Sequence, residues 1–209
     1  MKKIFAAIPG AGLLVAILIL APTVAAQAQI YTSSSLGNVG TDPGLNGTDP
    51  TITFSEFPVG TLVSSQYASD DVVFLAGSNG NLPIIANDGA MPTSPVLSPN
   101  PVYAGDFTMQ FPIPATSVSF LSGYWDTVGS GIINAYNPGG NLIGTFTDTS
   151  LGVDSITISG LGNIGSVYFN SVNDPYGADI DNLSITVPEP ATVSLLGLAA
   201  LALMLKRRA

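Results

Sequence analysis

Apolar and polar residues alternate in short segments between residues 51 and 187. In the segment VSFLSGYW, residues 118–125, strict alternation places Val118 and Phe120 on one face and Leu121 and Trp125 on the other. The segments are rich in β-branched and aromatic residues and are bounded by Gly, Pro, Asn and Asp, which is typical of half-buried strands. None of them has a helical period, so the pattern predicts an all-β domain.

The number and spacing of these segments favour a sandwich. They occupy residues 51–54, 60–67, 71–77, 82–87, 107–111, 116–125, 131–137, 141–148, 154–160, 165–170 and 178–187. About ten short strands, about 8–12 residues apart, indicate a sandwich or a barrel. We expect a two-sheet antiparallel β-sandwich of jelly-roll type at 51–187. Residues 29–50 are rich in Gly, Ser, Thr, Asn and Pro, which predicts a flexible lead-in.

The chain begins with an apolar run that follows two lysines. The triplet Ala-Gln-Ala at 26–28 provides the small residues of a cleavage site. This layout predicts a secretory signal peptide over residues 1–28, cleaved before Gln29 or, as the second choice, before Gln27. An uncleaved membrane anchor is the alternative.

A second apolar run lies at residues 191–205 and is followed at once by Lys206, Arg207 and Arg208. A membrane-spanning helix needs about 20 apolar residues, so this run is short for a permanent anchor. The positive-inside rule would keep the basic end in the cytoplasm and the domain outside. A processed tail and a plain single-span anchor both remain open.

Three features of this end occur together: the triplet Pro188-Glu189-Pro190, the apolar run and the basic end. Together they resemble the PEP-CTERM sorting signal of Gram-negative bacteria, here at residues 188–209. The resemblance implies recognition by an exosortase-type membrane peptidase and removal of the tail near the triplet. It also implies export to the cell surface or an exopolysaccharide matrix, with the C-terminal helix in the inner membrane before processing.

The distribution of charge excludes several classes of chemistry. The chain of 209 residues has five Lys and Arg, fourteen Asp and Glu, and no His or Cys. All the basic residues lie in the two terminal segments, so the domain between them is wholly anionic. Nucleic-acid binding, disulfides, thiolate or histidine catalysis and lysine Schiff bases are therefore excluded there. Carboxylate chemistry and hard-cation binding remain possible.

A second resemblance concerns the ends of the predicted domain. The opening ITFSEFPVGTLVSSQY and the closing ADIDNLSITV are similar to the first and last strands of jelly-roll ectodomains found in PEP-CTERM proteins. The resemblance implies a galactose-binding-like or carbohydrate-module-like sandwich. In such a fold these strands lie close together, which would bring Glu56 near Asp179 and Asp181. Carboxylates of this kind could hold a structural Ca²⁺. The alternative is that Asp181 satisfies backbone amides and that Glu56 is solvated.

Aromatic residues suggest a second candidate site. Tyr124, Trp125 and Asp126, with Tyr103 and Tyr136, could form a platform on which sugars stack. The alternative is that Trp125, the single tryptophan, belongs to the core. The sequence shows no paired-glutamate constellation of a glycosidase, so we expect no enzymatic activity.

These observations lead to one leading hypothesis and two alternatives. The leading hypothesis is a non-catalytic, exported β-sandwich with a structural or adhesive role at the cell surface or in the matrix. The first alternative is a carbohydrate-binding module for exopolysaccharide, and the second is a secreted glycan hydrolase or lyase.

Overall fold

The computed structural model describes residues 29–33 and 51–188, and these residues form antiparallel strands with one short 3-10 helix at Ala68–Asp70. The strands are β1 (Gln29–Ser33), β2 (Thr51–Ile52), β3 (Val73–Leu75), β4 (Ile84–Ala86), β5 (Val96–Ser98), β6 (Asp106–Trp125), β7 (Ile132–Tyr136), β8 (Leu142–Thr147), β9 (Gly152–Asn170) and β10 (Asp179–Thr186). The expected all-β fold is confirmed.

The two longest strands, β6 and β9, run side by side and belong to both layers of the sandwich. The hydrogen-bonded order of the whole sheet is β4-β5-β10-β6-β9-β7-β8. Outside this order, β1 pairs with β9, β2 with β10 and β3 with β6. The second half of β6 and the first half of β9 carry β10 and β1, whereas their other halves carry β3 and β7. One continuous sheet therefore folds over into two packed layers.

The sheet bends from one layer to the other where the β6–β9 register shifts, between Gln110 and Ser117 of β6. Pro112 and Pro114 lie in this part of β6, and Gly162 on β9 has a φ of 82°. Proline cannot donate a ladder hydrogen bond, and bulges and glycines bend strands. These residues thus allow the long strands to turn from one layer to the other.

The main core fills the space between the layers. Phe107 and Phe169 stack with their ring centroids 5.1 Å apart, and Trp125 lies 5.8 Å from Phe169. All three side chains are fully buried. A smaller apolar cluster, which we call the second cluster, consists of Ala86, Met91, Val96, Leu121 and Val153.

The strict alternation predicted for residues 118–125 fails at its end. Val118 and Phe120 lie in the main core and Leu121 in the second cluster, as alternation requires, but Trp125 lies with Phe120 rather than with Leu121. The β6–β9 register shifts between Ser122 and Trp125. This irregularity, which a period-two pattern cannot show, reverses the two faces.

The beginning of the predicted lead-in also differs from a loop. Residues 29–33 pair with Ser155 to Ser159 of β9 as an antiparallel strand. The β-branched residues Ile30 and Thr32 favour a strand, and β9 offers an edge there. The rest of the lead-in lies outside the described residues, as do the predicted signal peptide and the apolar C-terminal run. Within the described part of the chain, no helix is long and apolar enough to cross a membrane.

The contact between Gly131 and Trp125 gives a test of the core. A Cβ added at Gly131 would lie 2.5 Å from the indole ring. Gly131→Ala should therefore lower the free energy of unfolding by about 1–3 kcal/mol, measured by denaturant titration. Gly89→Ala is the matched control because a Cβ at Gly89 meets nothing within 4 Å. Equal stabilities of the two variants would contradict this packing.

Candidate functional site

An open cleft of about 430 Å³ lies where β6 ends. Four segments line it: the β4–β5 loop, the loop before β6, the end of β6 and the loop before β10. The lining residues are Asp88, Ala90, Tyr103, Tyr124, Asp126, Tyr176 and Gly177. We call it the tyrosine–aspartate cleft. Another cleft, of about 400 Å³ near Pro112 and Pro138, contains no charged residue.

The three tyrosines of the cleft differ in how firmly they are held. Tyr103 and Tyr124 pack against the second cluster. The Tyr103 hydroxyl donates to the Asn87 carbonyl, and its N–H donates to Ser98 Oγ at 2.6 Å. The Tyr176 side chain is 78% exposed at the edge of the cleft. The cleft thus has two fixed rings and one that is free to meet a ligand.

Gly177 allows the loop before β10 to approach the cleft closely. Its φ is 77°, and a Cβ there would overlap the Tyr103 carbonyl. The Ala178 N–H then donates to the same carbonyl at 2.9 Å. Only glycine tolerates both this backbone conformation and this contact, so its position in the sequence fixes where Tyr176 is presented.

Asp179 is the most unusual carboxylate near the cleft. It is fully buried, and neither of its oxygens accepts a hydrogen bond from the described residues. Burial raises the pKa of Asp179 well above 3.8, and the charges of Asp88 and Asp181 add to this effect. A protonated Asp179 can donate to Asp88, which favours the neutral form further.

Asp179 and Asp181 flank Ile180, which lies in the main core, so alternation along β10 points both aspartates to the opposite side. Ile180 and Leu183 both lie in the main core, although residues three positions apart point to opposite faces of a regular strand. The register shifts between Asp181 and Ser184, and Asn182 has a φ of 52°, a conformation that asparagine tolerates. The extra residue lets the strand bury both apolar side chains.

Asp181 holds this bulge in place. Its Oδ1 accepts the Asn182 N–H at 2.8 Å, and its Oδ2 accepts the Thr93 hydroxyl. The Asn182 amide also donates to Thr93 Oγ1, at 3.3 Å. The β4–β5 loop is thereby joined to β10, and this use of Asp181 matches the backbone-amide alternative considered from the sequence.

Two other buried aspartates fix the loop beside the cleft. Asp174 Oδ2 accepts the Asp126 N–H at 2.9 Å and the Ser130 hydroxyl at 2.8 Å. Asp148 Oδ2 accepts the Gly129 N–H at 2.9 Å. Asp126 itself is exposed, and partial desolvation, followed by the charges of Asp174 and Asp88, raises its pKa. The loop that carries Asp126 is therefore held by carboxylates at both ends.

The structure does not bring Glu56 together with the aspartates of β10. Glu56 Oε1 accepts the Thr53 N–H at 3.1 Å, and Oε2 accepts the Tyr67 hydroxyl at 3.0 Å. Partial burial raises the pKa of Glu56, but these hydrogen bonds outweigh it and the net shift is downward. Within residues 51–188, no group of three or more His, Cys, Asp or Glu is arranged to hold a metal ion.

The predicted aromatic platform is divided by the structure. Tyr124 and Asp126 line the cleft together with Tyr103. Trp125 is fully buried in the main core, so assigning it a glycan contact was wrong and the core alternative describes it. Tyr136, on β7, is not among the residues that line the cleft.

Sequence reasoning missed Asp88, Asp174 and Tyr176. The dipeptide Asp88-Gly89 and the run Asp-Pro-Tyr-Gly at 174–177 both have compositions typical of turns. Both stretches could have been marked as loops that present side chains. Nothing in the linear pattern shows that the two loops meet at one cleft.

Comparisons with known proteins identify the C-terminal end. Residues 186–208 match the family model described as the PEP-CTERM protein-sorting motif. The chain carries a PEP-CTERM sorting motif. The match includes the Pro188-Glu189-Pro190 triplet and the basic residues that follow the apolar run. The PEP-CTERM motif implies an exported, cell-surface protein processed by an exosortase.

Two other searches concern the whole chain. No curated protein matches it. Among solved structures it is similar to the K2 cleaved adhesin domain of Lys-gingipain, with 12% identity and a TM-score of 0.45. That alignment covers 67% of this chain and 100% of the adhesin domain.

Asp154 provides a pH-dependent test of the buried carboxylates. It is 3% exposed, its Oδ1 accepts the Ser150 hydroxyl at 3.2 Å, and its Oδ2 has no hydrogen-bond partner among the described residues. Burial raises the pKa of Asp154, the Ser150 hydrogen bond opposes this, and the charge of Asp148 adds to it. The folded state thus binds the proton more tightly than the unfolded state does.

The proton on Asp154 therefore stabilises the folded state below the ordinary aspartate pKa. This contribution to the free energy of unfolding is lost as the pH rises through the raised pKa of Asp154. Asp154→Asn does not titrate. The free energy of unfolding of the variant should therefore rise relative to that of the wild type as the pH increases above about 4. Denaturant titrations at several pH values measure this difference. A difference that is constant with pH would contradict the assignment.

Proposed function

We propose that the protein is a non-catalytic surface or matrix protein whose tyrosine–aspartate cleft contacts extracellular polysaccharide. The observation that carries the proposal is the presence of three tyrosines and two aspartates around one open cleft. Aromatic rings suit the apolar faces of sugar rings, and carboxylates accept hydrogen bonds from sugar hydroxyls. The role is structural or adhesive, with glycan contact as its molecular basis.

The PEP-CTERM motif supports the cellular side of this proposal. The apolar run at 191–205 would hold the chain in the inner membrane until an exosortase-type peptidase removes the tail. The released domain would then meet polysaccharide outside the cell. Its many carboxylates and lack of basic residues would keep it soluble there.

A secreted hydrolase or lyase is the second candidate because Asp88 and Asp126 lie in the same cleft and the pKa of Asp126 is raised. Glycosidases use two carboxylates with separated pKa values. Release of reducing ends from a bound polysaccharide, lost in Asp126→Asn, would favour this candidate over a binding role.

Removal of the exposed ring tests the glycan contact. Tyr176→Ala should weaken binding in polysaccharide pull-down assays about tenfold, equivalent to about 1.4 kcal/mol, because a stacking surface is lost. Leu142→Ala removes a side chain that is 57% exposed and lies outside the cleft, so it should bind as wild type does. Equal binding by wild type and Tyr176→Ala would refute the assignment of the cleft.

Mass spectrometry of the exported product tests processing. The intact mass should show loss of the segment after the triplet, and Glu189→Ala should retain it. Glu56→Ala is the control, since Glu56 is the other glutamate of the chain and lies in the folded domain. Recovery of the full C-terminus from the wild-type protein would contradict the proposal.

A further inference from the structure

Most buried aspartates among the described residues accept hydrogen bonds from backbone N–H groups or hydroxyls. Asp106 accepts from the Ser78 N–H and from the Tyr168 hydroxyl, at 3.0 and 2.8 Å. Asp148 and Asp174 accept the N–H groups of the loop at 126–131. Asp179 is equally buried and has no such donor among the described residues. Asp154 leaves one oxygen without a partner among the described residues, whereas Asp179 leaves both.

The orphan carboxylate is buried next to the cleft, because Asp179 pairs with Gly123, the residue that precedes the cleft residue Tyr124. Its electrostatic neighbours include Asp88, and the charges of both aspartates act on Tyr103. Asp88 and Tyr103 line the cleft, and so does Gly177, two residues before Asp179. Asp88 is half-buried and its Oδ1 accepts the Ala90 N–H at 2.7 Å, which fixes the side chain. Asp88, which lines the cleft, and Asp179, which is buried beside it, therefore lie close together.

Two ionised carboxylates in such a place repel each other and lack solvation. A proton or a cation can remove the repulsion. The protein cannot supply the cation from its own domain, because no Lys, Arg or His occurs between Gln29 and Leu205. An external hard cation that prefers oxygen ligands is the remaining source of positive charge.

We propose that Asp88 and Asp179 bind a divalent cation of the Ca²⁺ type beside the tyrosine–aspartate cleft. This pair differs from the set Glu56, Asp179 and Asp181 expected from the sequence. Ca²⁺ takes about six to eight oxygen ligands, so two carboxylates leave positions for water or for ligand hydroxyls. A site with so few charges should be weak, with a dissociation constant of about 10⁻⁴–10⁻³ M, as in extracellular modules.

The cation would also change what the cleft can bind. Bound Ca²⁺ reduces the negative charge of the cleft and offers coordination to vicinal hydroxyls beside Tyr103 and Tyr124. In this respect the inference deepens the proposed glycan contact and rests on it. The metal site itself rests only on Asp88 and Asp179.

Terbium luminescence tests the site directly. Tb³⁺ replaces Ca²⁺ at oxygen sites and is excited through nearby tyrosines, here Tyr103 and Tyr124. The exported protein should give a Tb³⁺ signal that Ca²⁺ displaces. Asp88→Asn and Asp179→Asn should each weaken it at least tenfold. Asp70→Asn, which removes an exposed carboxylate outside the cleft, should leave it unchanged within twofold.

Thermal melting provides a second readout. Ca²⁺ at about 100-fold above its dissociation constant should raise the melting temperature of the wild type by about 5–10 °C. Asp179→Asn should show no rise, yet in EDTA it should melt no lower than wild type, because it removes an unpaired buried carboxylate. Asp88→Asn, at a half-buried position, provides the same comparison if Asp179→Asn does not fold.

Three results would overturn the metal site: no Ca²⁺-displaceable signal, no Ca²⁺-dependent rise in melting temperature, or retention of both in the two variants. Its failure can be separated from failure of the proposed function. Polysaccharide binding that persists in EDTA and is lost in Tyr176→Ala would leave the glycan contact standing without the metal. A metal site in a protein whose polysaccharide binding does not depend on Tyr176 would leave only the metal.

Discussion

The constraint on which the rest of the domain depends is the absence of any positive side chain between Gln29 and Leu205. Ion pairs are therefore unavailable, and a buried carboxylate can be stabilised only by neutral donors, a proton or an external cation. Asp106 and Asp174 use backbone N–H groups and hydroxyls. Each of these aspartates joins segments that lie far apart in the sequence, so the carboxylates act as cross-links between loops.

This constraint also explains why one end of the sandwich carries the candidate site. Asp174 holds the loop that follows β6, and Asp181 joins the bulge of β10 to Thr93 of the β4–β5 loop. Asp179 lies on the side of β10 opposite to the core residue Ile180 and close to Asp88. The loops are fixed by satisfied carboxylates, and the one left without donors lies between them. A pre-formed cleft with a small number of polar groups is typical of a binding site.

The fold could be predicted from the sequence because alternation and turn residues are local signals. The strands and the layer arrangement follow from them, whereas the position of Trp125 does not. A register shift near Gly123 reversed the face, and such a shift depends on how β6 pairs with β9.

The site was predicted in part: Tyr124, Asp126 and Asp179 were named, but Asp88 and Tyr176 lie in loops whose meeting is decided by tertiary packing. Glu56 was misplaced because the chain turns at Thr53, where the Thr53 N–H takes up one of its oxygens.

The sign of the charge restricts the kind of polysaccharide that the cleft could hold. A polymer of uronic acids would meet Asp88, Asp126 and the acidic surface around them, and like charges at an interface cost free energy unless a counter-ion lies between them. Neutral sugars face no such penalty and can use the rings of Tyr124 and Tyr176. A cation at Asp88 and Asp179 would lower the penalty for acidic sugars, since its charge offsets that of the carboxylates. The cation content of the medium would then decide which polymers bind, and the stacking surface alone would not.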